Sequence, residues 1–450
     1  MTHRKFYDIH FHAMDLSHAN LMAFLLRKDL ITKETIRNFS RQMKWWMKLI
    51  PLGAIDMAPG LIVRKLREFL DGPSKAKNLL SFMENSIRFD FLIVEHFLRH
   101  GGTGEPAFVN RENMFMIDEI LYNKIVLCPL IIDFGFRNIK QKGIFYNLPP
   151  NKSVIDQAAD VLTAISHYLK YDLAPSVQYP DRLEVTPSGG YKKGKLFEIY
   201  PFLGINPRND YSLDAIKRIF EKYFSGFLHD TPVKRKEWLL EKMGTYTGTF
   251  EGVDLNYLFA GIKFYPPLGF DPWPENDLAE LKKICIIYEE CIKRRIPVTT
   301  HCSNGGFVTD SDAERYTNPA KQWRKALKTY PELKLNFAHF GDRSDHRTDW
   351  RDQIIDYMLD KDYPDIYADF SCRGLKTKRG EPDFYKQINL LVSTYGSKIS
   401  ERMLFGSDFM INLLWTTSYN RYLENFKATR ALKGNKELFC TKNPERFLFG

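Results

Sequence analysis

The stretch YDIHFHAMD, residues 7–15, sets two histidines one residue apart in a segment that otherwise has the composition of a β-strand. Side chains at positions i and i+2 of a strand point to the same side, so His10 and His12 share one face while Ile9 and Phe11 share the other. Two imidazoles on one buried face cost free energy unless a partner satisfies their nitrogens. A divalent metal ion is such a partner, and histidine is its commonest ligand. The stretch therefore predicts a metal site on the first strand.

Seven further short apolar runs follow, rich in Ile, Val, Phe and Tyr, as expected for parallel strands buried on both faces. The eight runs span residues 6–13, 124–134, 197–205, 259–267, 296–303, 334–341, 366–372 and 402–409. Helical patterns separate the later runs at intervals of about 30–40 residues, the size of one βαβ unit. This alternation predicts an α/β fold, a (β/α)8 TIM-type barrel. An open doubly wound sheet is the alternative, although no GxGxxG segment follows the first strand.

Two of the helical patterns have clear start signals. Residues 277–295 are amphipathic and begin at Asp277, a residue type that caps helices. Residues 318–330 open with Asn318 and Pro319, a cap followed by a proline in the first turn. Both segments are therefore expected to be helices that pack behind the barrel strands.

The regular alternation is interrupted at about residues 15–120 and 210–255, where helical patterns stand without an intervening strand. Insertions after barrel strands lie over the C-terminal mouth, where they form lids or subunit contacts. We therefore expect a single domain over residues 1–450, with helical insertions covering that mouth. Three tryptophans in these insertions leave a homodimer open: Trp45, Trp46 and Trp238.

Composition narrows the class of protein. Hydrophobic residues make up 44% and charged residues 27% of the 450 residues, which is ordinary for a globular protein. The net charge of +10 is spread along the chain, which is typical of a solvated surface; a small acidic substrate is the second interpretation, and nucleic acid the third, because no nucleic-acid motif is present. The apolar runs are too short to span a membrane. The first residues lack an apolar signal segment, and the six cysteines form no CxxC pair, so a cytoplasmic location is expected.

Several other predicted strands end in side chains that carry chemistry. These are Lys263 on the fourth strand, His301 on the fifth, His339 on the sixth and Asp408 on the eighth. The carboxyl ends of parallel barrel strands meet at one rim, so these groups are expected to face His10 and His12. A single histidine at a strand end is more often a hydrogen-bonded structural residue. Four of the 11 histidines at one rim indicate a metal centre instead.

Imidazoles with a single carboxylate favour zinc, with Mn²⁺, Fe²⁺ and Co²⁺ as alternatives. A catalytic ion keeps one position for a water, whose pKa falls towards ~7. Asp408 is then the candidate proton acceptor, and His339 the group that orients or protonates the substrate. Arg208 and Tyr265, near the ends of the third and fourth strands, are weaker candidates for substrate binding beside Lys263. The alternative for these three residues is ion pairing within the rim.

Taken in order along the chain, these motifs resemble the amidohydrolase superfamily. The matching segments are DIHFH, GIKFYPP, THCS, AHFG, FGSDF and the closing TKNPERFLFG. The resemblance is to the amidohydrolase-related (amidohydrolase 2) branch, which includes metal-dependent hydrolases and decarboxylases similar to aminocarboxymuconate-semialdehyde decarboxylase. It runs from residue 6 to residue 450 and leaves out only the two insertions.

The resemblance implies one metal ion with these ligands: His10, His12, His301 and Asp408. It implies a catalytic role for His339, which binds the second ion in two-metal members. In those members a carboxylated lysine on the fourth strand bridges the ions, and Lys263 matches that position. We favour one ion, with Lys263 holding a substrate carboxylate, and keep two ions as the alternative.

The resemblance and the residues lead to three hypotheses for function. The first is a metal-dependent hydrolase that cleaves an amide, lactone or ester bond of a small acidic molecule through metal-activated water. The second is a lyase on the same site, a non-oxidative decarboxylase or hydratase of an aromatic or unsaturated carboxylic acid. The third is a barrel that has lost catalysis, which predicts missing ligands, whereas all five site positions are intact.

Overall fold

The architecture is taken from a computed structural model of the chain. The structure describes residues 4–15, 18, 76–83, 85–102, 104–134, 152–179, 182–190, 192, 194–209, 211–249, 253–308, 310–343, 347–373 and 384–450. Most of the first predicted insertion, including Trp45 and Trp46, lies outside these residues.

Twelve strands are present in the described part of the chain. They are β1 (Arg4–Phe11), β2 (Phe115–Ile117), β3 (Ile120–Pro129), β4 (Tyr171–Pro175), β5 (Leu183–Pro187), β6 (Phe197–Ile199), β7 (Phe202–Gly204), β8 (Gly261–Phe264), β9 (Val298–Ser303), β10 (Leu335–Asp342), β11 (Ile366–Asp369) and β12 (Met403–Leu404). Each of the eight predicted runs contains at least one of them. The hairpin of β4 and β5 and the short antiparallel strand β2 were not predicted.

The parallel strands form two arcs. One arc joins β1, β3 and β6, and the other runs from β7 through β8, β9, β10 and β11 to β12. A parallel bridge between Leu130 and Phe202 connects the arcs on one side. On the other side the Ile9 amide donates to the Phe405 carbonyl at 3.2 Å, and the Asp408 amide donates to the His10 carbonyl at 2.7 Å. These contacts close the strands into the predicted barrel.

Thirteen α-helices lie in the described residues. They are α1 (Ala76–Met83), α2 (Asp90–His100), α3 (Val154–Lys170), α4 (Leu213–Tyr223), α5 (Pro232–Lys242), α6 (Leu278–Arg294), α7 (Ala313–Thr317), α8 (Gln322–Thr329), α9 (Asp349–Leu359), α10 (Phe384–Tyr395), α11 (Ser397–Ser400), α12 (Tyr419–Ala428) and α13 (Asn443–Phe449). No helix of the described chain is both long and apolar enough to cross a bilayer.

Two helix predictions have different outcomes. α6 begins as predicted, because the Asp277 carboxylate accepts hydrogen bonds from the first free amides of the helix. The helix predicted at 318–330 is wrong at its start. Asn318 instead ends α7, and α8 begins only at Gln322. A cap residue followed by proline thus marks a break between two helices here.

One helix from each insertion shows where that part of the insertion lies, and the two helices are at opposite ends of the barrel. In the first, Phe82 of α1 packs edge-on against Phe409 with ring centroids 5.1 Å apart, just past the end of β12. In the second, the Arg235 guanidinium donates to the carbonyl of Arg295, which precedes β9. Lys236 pairs with Glu445 of α13. The expectation that both insertions cover the mouth is therefore wrong for α5, because its cations pair with groups at the amino-terminal ends of the strands.

Candidate metal centre

Five side chains predicted from the sequence lie together at the carboxyl ends of the barrel strands, and each is at most 7% exposed: His10, His12, His301, His339 and Asp408. β1 carries the first two on one face, because residues two apart on a strand share a side. The others come from β9, β10 and the segment that follows β12. Barrel closure between β1 and that last segment brings Asp408 to the first two histidines.

Asp408 lies close to both histidines of β1. Asp408 Oδ1 lies 3.4 Å from His10 Nε2 and 3.2 Å from His12 Nε2. Metal–nitrogen bonds of about 2.1 Å in a tetrahedron set ligand atoms about 3.4 Å apart, so the spacing suits a single ion. His10, His339 and Asp408 also each offer an atom within 4.8 Å of the other two.

The outward-facing nitrogens of the first two histidines have protein partners. His12 Nδ1 donates to the Leu130 carbonyl at 2.9 Å, and His10 Nδ1 donates to the Asp369 carboxylate at 3.1 Å. Each Nε2 then presents a lone pair towards Asp408. Within the described chain His10 Nε2 has no hydrogen-bond partner. This is the usual arrangement of metal-binding histidines, and these residues therefore fit a divalent ion.

His301 is held differently. Its Nδ1 lies 3.2 Å from His339 Nε2, and its Nε2 lies 3.0 Å from the Ser303 hydroxyl. Both nitrogens of His301 thus contact protein groups, and His339 stands between this ring and His10. The ligand role implied for His301 stays a prediction, and it requires the imidazole to exchange Ser303 for the ion.

Burial and close contacts set the charges of the site. Burial lowers the pKa of His12, against an opposing hydrogen bond to Asp408, and lowers that of His339 to about 3. Burial alone would raise the pKa of Asp408, but the hydrogen bond from His12 and the nearby imidazoles hold it well below its usual range. Neutral imidazoles at His12 and His339 therefore stand beside an ionised Asp408, the protonation states that metal binding requires.

Lys263 lies on β8 and is 1% exposed. Its Nζ has no hydrogen-bond partner in the part of the chain that the structure describes. Burial lowers its pKa to about 8, although Asp369 and Asp408 partly oppose the shift. A buried amine near two carboxylates, yet bonded to neither, can take a ligand.

Tyr265 lies two residues after Lys263, whose Nζ is 5.8 Å from the centre of the tyrosine ring. The ring also lies 4.8 Å from that of His301, and its hydroxyl accepts a hydrogen bond from the Phe307 amide at 3.0 Å. Tyr265 therefore links the centre to the loop after β9. Its predicted role in substrate binding stays a prediction.

Arg208 contacts other protein groups. Its guanidinium donates to the Asp310 carboxylate and to the Gly269 carbonyl, both at 2.8 Å, and Glu280 lies 3.7 Å away. Two carboxylates therefore already compensate this charge. The prediction that Arg208 grips a substrate carboxylate is untested, and ion pairing within the rim accounts for the contacts.

Sequence reasoning missed two buried residues, Asp369 and Ser371, at the end of β11. Asp369 accepts hydrogen bonds from His10 and from the His339 amide, and the Ser371 hydroxyl lies 2.9 Å from His339 Nδ1. Their signal was present, because Asp369 lies within the seventh apolar run just as the histidines lie within others. A carboxylate before a turn also suits a cap, so the position alone did not single it out.

Comparison with protein families finds a match for the C-terminal part of the chain. Residues 254–450 match the family described as Amidohydrolase. The match covers β8 to the end and so includes Lys263, His301, His339 and Asp408. Among curated proteins, none matches this chain.

Solved structures give more distant likenesses. A dihydroxybenzoic acid decarboxylase from Polaromonas with bound manganese and the inhibitor 2-nitroresorcinol is 11% identical, with a TM-score of 0.40, over 100% of this chain and 97% of that one. A probable 2-pyrone-4,6-dicarboxylic acid hydrolase from Acinetobacter baumannii is 14% identical, with a TM-score of 0.36, over 73% and 84%. An amidohydrolase 2 from Bifidobacterium longum is 14% identical, with a TM-score of 0.28, over 44% and 63%.

Proposed function

Residues 254–450 belong to the amidohydrolase family, and on this premise we propose that the protein is a metal-dependent hydrolase. Its substrate is a small molecule that carries a carboxylate, and the cleaved bond is an amide, a lactone or an ester. The observation that carries the proposal is that Asp408 Oδ1 lies 3.4 Å from His10 Nε2 and 3.2 Å from His12 Nε2.

Zinc is the first candidate for the ion, because three or more imidazoles and one carboxylate suit a borderline metal. A divalent ion supplies Lewis acidity and a water whose pKa falls towards ~7. His10, His12 and Asp408 would hold it, with His301 as the further ligand that the family resemblance implies. A second ion needs Lys263 to be carboxylated, and its pKa of about 8 gives the required neutral amine in weakly alkaline solution.

Different residues of the chain carry out the successive proton transfers of hydrolysis. Asp408 accepts the proton of the attacking water, the water oxygen bonds to the acyl carbon, and the bond to the leaving nitrogen or oxygen breaks. The proton taken up by Asp408 passes to the leaving atom through His339 Nε2, the nitrogen that now contacts His301. Lys263 pairs with the substrate carboxylate and so holds the acyl group against Asp408.

A second candidate, decarboxylation of an aromatic or unsaturated acid, is favoured by the 3.2 Å contact between His301 Nδ1 and His339 Nε2. In that reaction the C–C bond to the carboxylate breaks, CO₂ leaves, and the electron pair on carbon takes a proton. Two buried, coupled imidazoles are suited to deliver a proton to carbon. Lys263 would again pair with the carboxylate of the substrate.

The remaining proposals concern location and partners. Cys128, Cys285, Cys291, Cys302 and Cys440 form no disulfide, which supports a reducing compartment such as the cytoplasm. Trp238, 37% exposed on α5, is available to a second copy of the chain, so a homodimer stays part of the proposal.

The experiment compares two reactions on one preparation. The purified protein, stripped with a chelator and reloaded with Zn²⁺ or Mn²⁺, is assayed against carboxylate-bearing lactones, amides and esters. In parallel, CO₂ release is measured from hydroxylated benzoic acids and unsaturated acids. We expect metal-dependent hydrolysis that Asp408→Asn abolishes. Asp310→Asn, which removes a partner of Arg208 on the rim, is the matched control and should retain turnover.

The outcomes separate the candidates. CO₂ release without hydrolysis would replace the hydrolase with the lyase. If the protein binds neither metal, both proposals fail and the barrel is left without the chemistry of its family.

A further inference from the structure

Strand β11 ends in a carboxylate, Asp369, that takes part in none of the proposed reaction steps. Asp369 is 0% exposed and accepts hydrogen bonds from four nitrogen donors and from the Ser371 hydroxyl. Oδ2 accepts from His10 Nδ1 at 3.1 Å and from the Asn336 amide group at 2.7 Å. Oδ1 accepts from the backbone amides of His339 and Ser371, each at 3.1 Å. These hydrogen bonds hold the buried carboxylate in one position, and two of its donors belong to candidate site residues.

The charge of Asp369 decides the tautomer of His10. The backbone amides of His339 and Ser371 and the side-chain amide of Asn336 can only donate to it, so both oxygens of Asp369 act as acceptors, as in an ionised carboxylate. An ionised carboxylate only accepts hydrogen bonds, so the proton of a neutral His10 must sit on Nδ1. The lone pair is then on Nε2, the nitrogen that lies 3.4 Å from Asp408.

Ser371 extends the same logic to His339. Its hydroxyl has one proton, and the Asp369 carboxylate is the strongest acceptor beside it. The oxygen of Ser371 is therefore left to accept from His339 Nδ1, 2.9 Å away. This leaves the lone pair of His339 on Nε2, the side that faces the site. One carboxylate thus sets the proton positions of two rings on different strands.

Asp369 also stabilises an unfavourable backbone. His339 has φ 62° and Phe340 has φ 48°, the left-handed region that side chains other than glycine rarely adopt. The hydrogen bond from the His339 amide to Asp369 lies at the start of this turn. The turn directs the His339 ring back towards His10, whose ring centroid is 4.8 Å away.

We propose that Asp369, acting with Ser371, is the positioning pair of the metal centre: it fixes His10 and His339 as Nδ1–H tautomers and thereby sets the affinity of the site for its ion. The proposal rests on the proposed metal-dependent function and deepens it. Neither residue touches the ion or the substrate. Their effect passes through the two imidazoles.

The decisive variant is Asp369→Asn. The amide oxygen can still accept from the two backbone amides, but the amide nitrogen then faces His10 Nδ1 and the Asn336 side chain, both of which are donors. His10 Nδ1 then keeps only the Ser371 hydroxyl oxygen, 3.0 Å away, as an acceptor, so the balance shifts to the tautomer with the proton on Nε2, where it blocks the lone pair. Groups that orient metal-binding histidines change metal affinity by about 10–100-fold, and we expect a loss of that size for Zn²⁺.

Affinity is measured on the full-length protein by competition with a chromophoric chelator. Asp271→Asn is the matched control, because Asp271 is also a buried carboxylate that accepts from a side-chain amide, of Gln322, and from a backbone amide, of Trp273. It contacts no site histidine, and its affinity for Zn²⁺ should match the wild type. Ser371→Ala should weaken binding less than Asp369→Asn, and Ser371→Thr, which keeps the hydroxyl, should restore it.

A readout independent of the ion is the ¹⁵N spectrum of the histidines in the metal-free protein. We expect His10 as the Nδ1–H tautomer in the wild type and as the Nε2–H tautomer in Asp369→Asn. Asp369→Asn with wild-type affinity overturns the inference, and so does a wild-type His10 that carries its proton on Nε2. If the wild type binds no metal, the proposed function fails while the spectrum still decides the tautomer. If Asp369→Asn does not fold, the inference is tested by the Zn²⁺ affinities of Ser371→Ala and Ser371→Thr and by the ¹⁵N spectrum of the wild type.

Discussion

The imidazole–carboxylate cluster and Lys263 lie at the same rim of the barrel but differ in how the protein treats them. His12 is held through Leu130, and His10 and His339 are both held through Asp369. Lys263 is buried as deeply, yet no described group bonds to its Nζ. Side chains that are held in place belong to a site the protein builds itself. A buried amine without a partner belongs to a site that a ligand completes.

The largest effect is expected from a change in the imidazole–carboxylate cluster. His12→Ala should remove bound metal and activity together, with a loss of activity above about 100-fold, because it deletes a ligand and not merely its support. Metal per chain by mass spectrometry and turnover are measured on the same sample. His100→Ala, on the exposed end of α2, is the control. Full metal content in His12→Ala would show that the ligand assignment is wrong.

The next prediction separates two roles of Asp408, binding the metal ion and accepting a proton during catalysis. Asp408→Asn keeps one oxygen at the centre but cannot accept a proton, so we expect partial metal content and a fall in turnover of roughly 10²–10⁴-fold. Metal analysis and steady-state kinetics check this. Unchanged turnover at full metal content would remove Asp408 from the proton transfers.

The third prediction concerns the unpartnered lysine in the metal-free protein. The folded pKa of Lys263 is about 8 and its ordinary value is 10.5, so the unfolded chain holds the proton between these values while the folded chain releases it. Stability therefore rises with pH across that window. Lys263→Met, which cannot charge, should be more stable than the wild type at pH 7 by about 3 kcal/mol, and the gap should close towards pH 10.5.

Urea unfolding at several pH values measures this difference. A gap that is constant with pH would mean that the amine is not desolvated as the structure describes. A carboxylate-bearing substrate or product that shrinks the gap at pH 7 would identify the ligand that completes the site.

The smallest effect is expected in the loop after β9, which contains Gly306 and contacts Tyr265 beside the metal centre. Gly306 and Gly434 both have left-handed φ, 88° and 86°, and a Cβ there costs roughly 1–2 kcal/mol. At Gly306 the added Cβ also overlaps the Tyr265 hydroxyl, whereas at Gly434 it meets open space. We expect Gly434→Ala to lower stability alone and Gly306→Ala to lower stability and turnover. Equal turnover in the two variants would separate Tyr265 from the site.

The sequence was informative where one local pattern determines the structure. Apolar runs that end in a polar residue identified the barrel strands, and the HxH spacing placed His10 and His12 on one face. Asp369 was missed because its role depends on donors from β1 and β10, which lie next to it only after the barrel forms. The position of α5 was missed for the same reason, since its partner Glu445 is 209 residues away along the chain.

The seam between the first and last strands has a consequence for biosynthesis. The Asp8 carboxylate accepts a hydrogen bond from the Ser407 amide across 399 residues of sequence. A ribosome therefore exposes the first two imidazoles long before it translates the carboxylate that meets them. Ion loading must await translation of Asp408, and a nascent chain that stalls before this point has its opening strand paired with β3 on one side only.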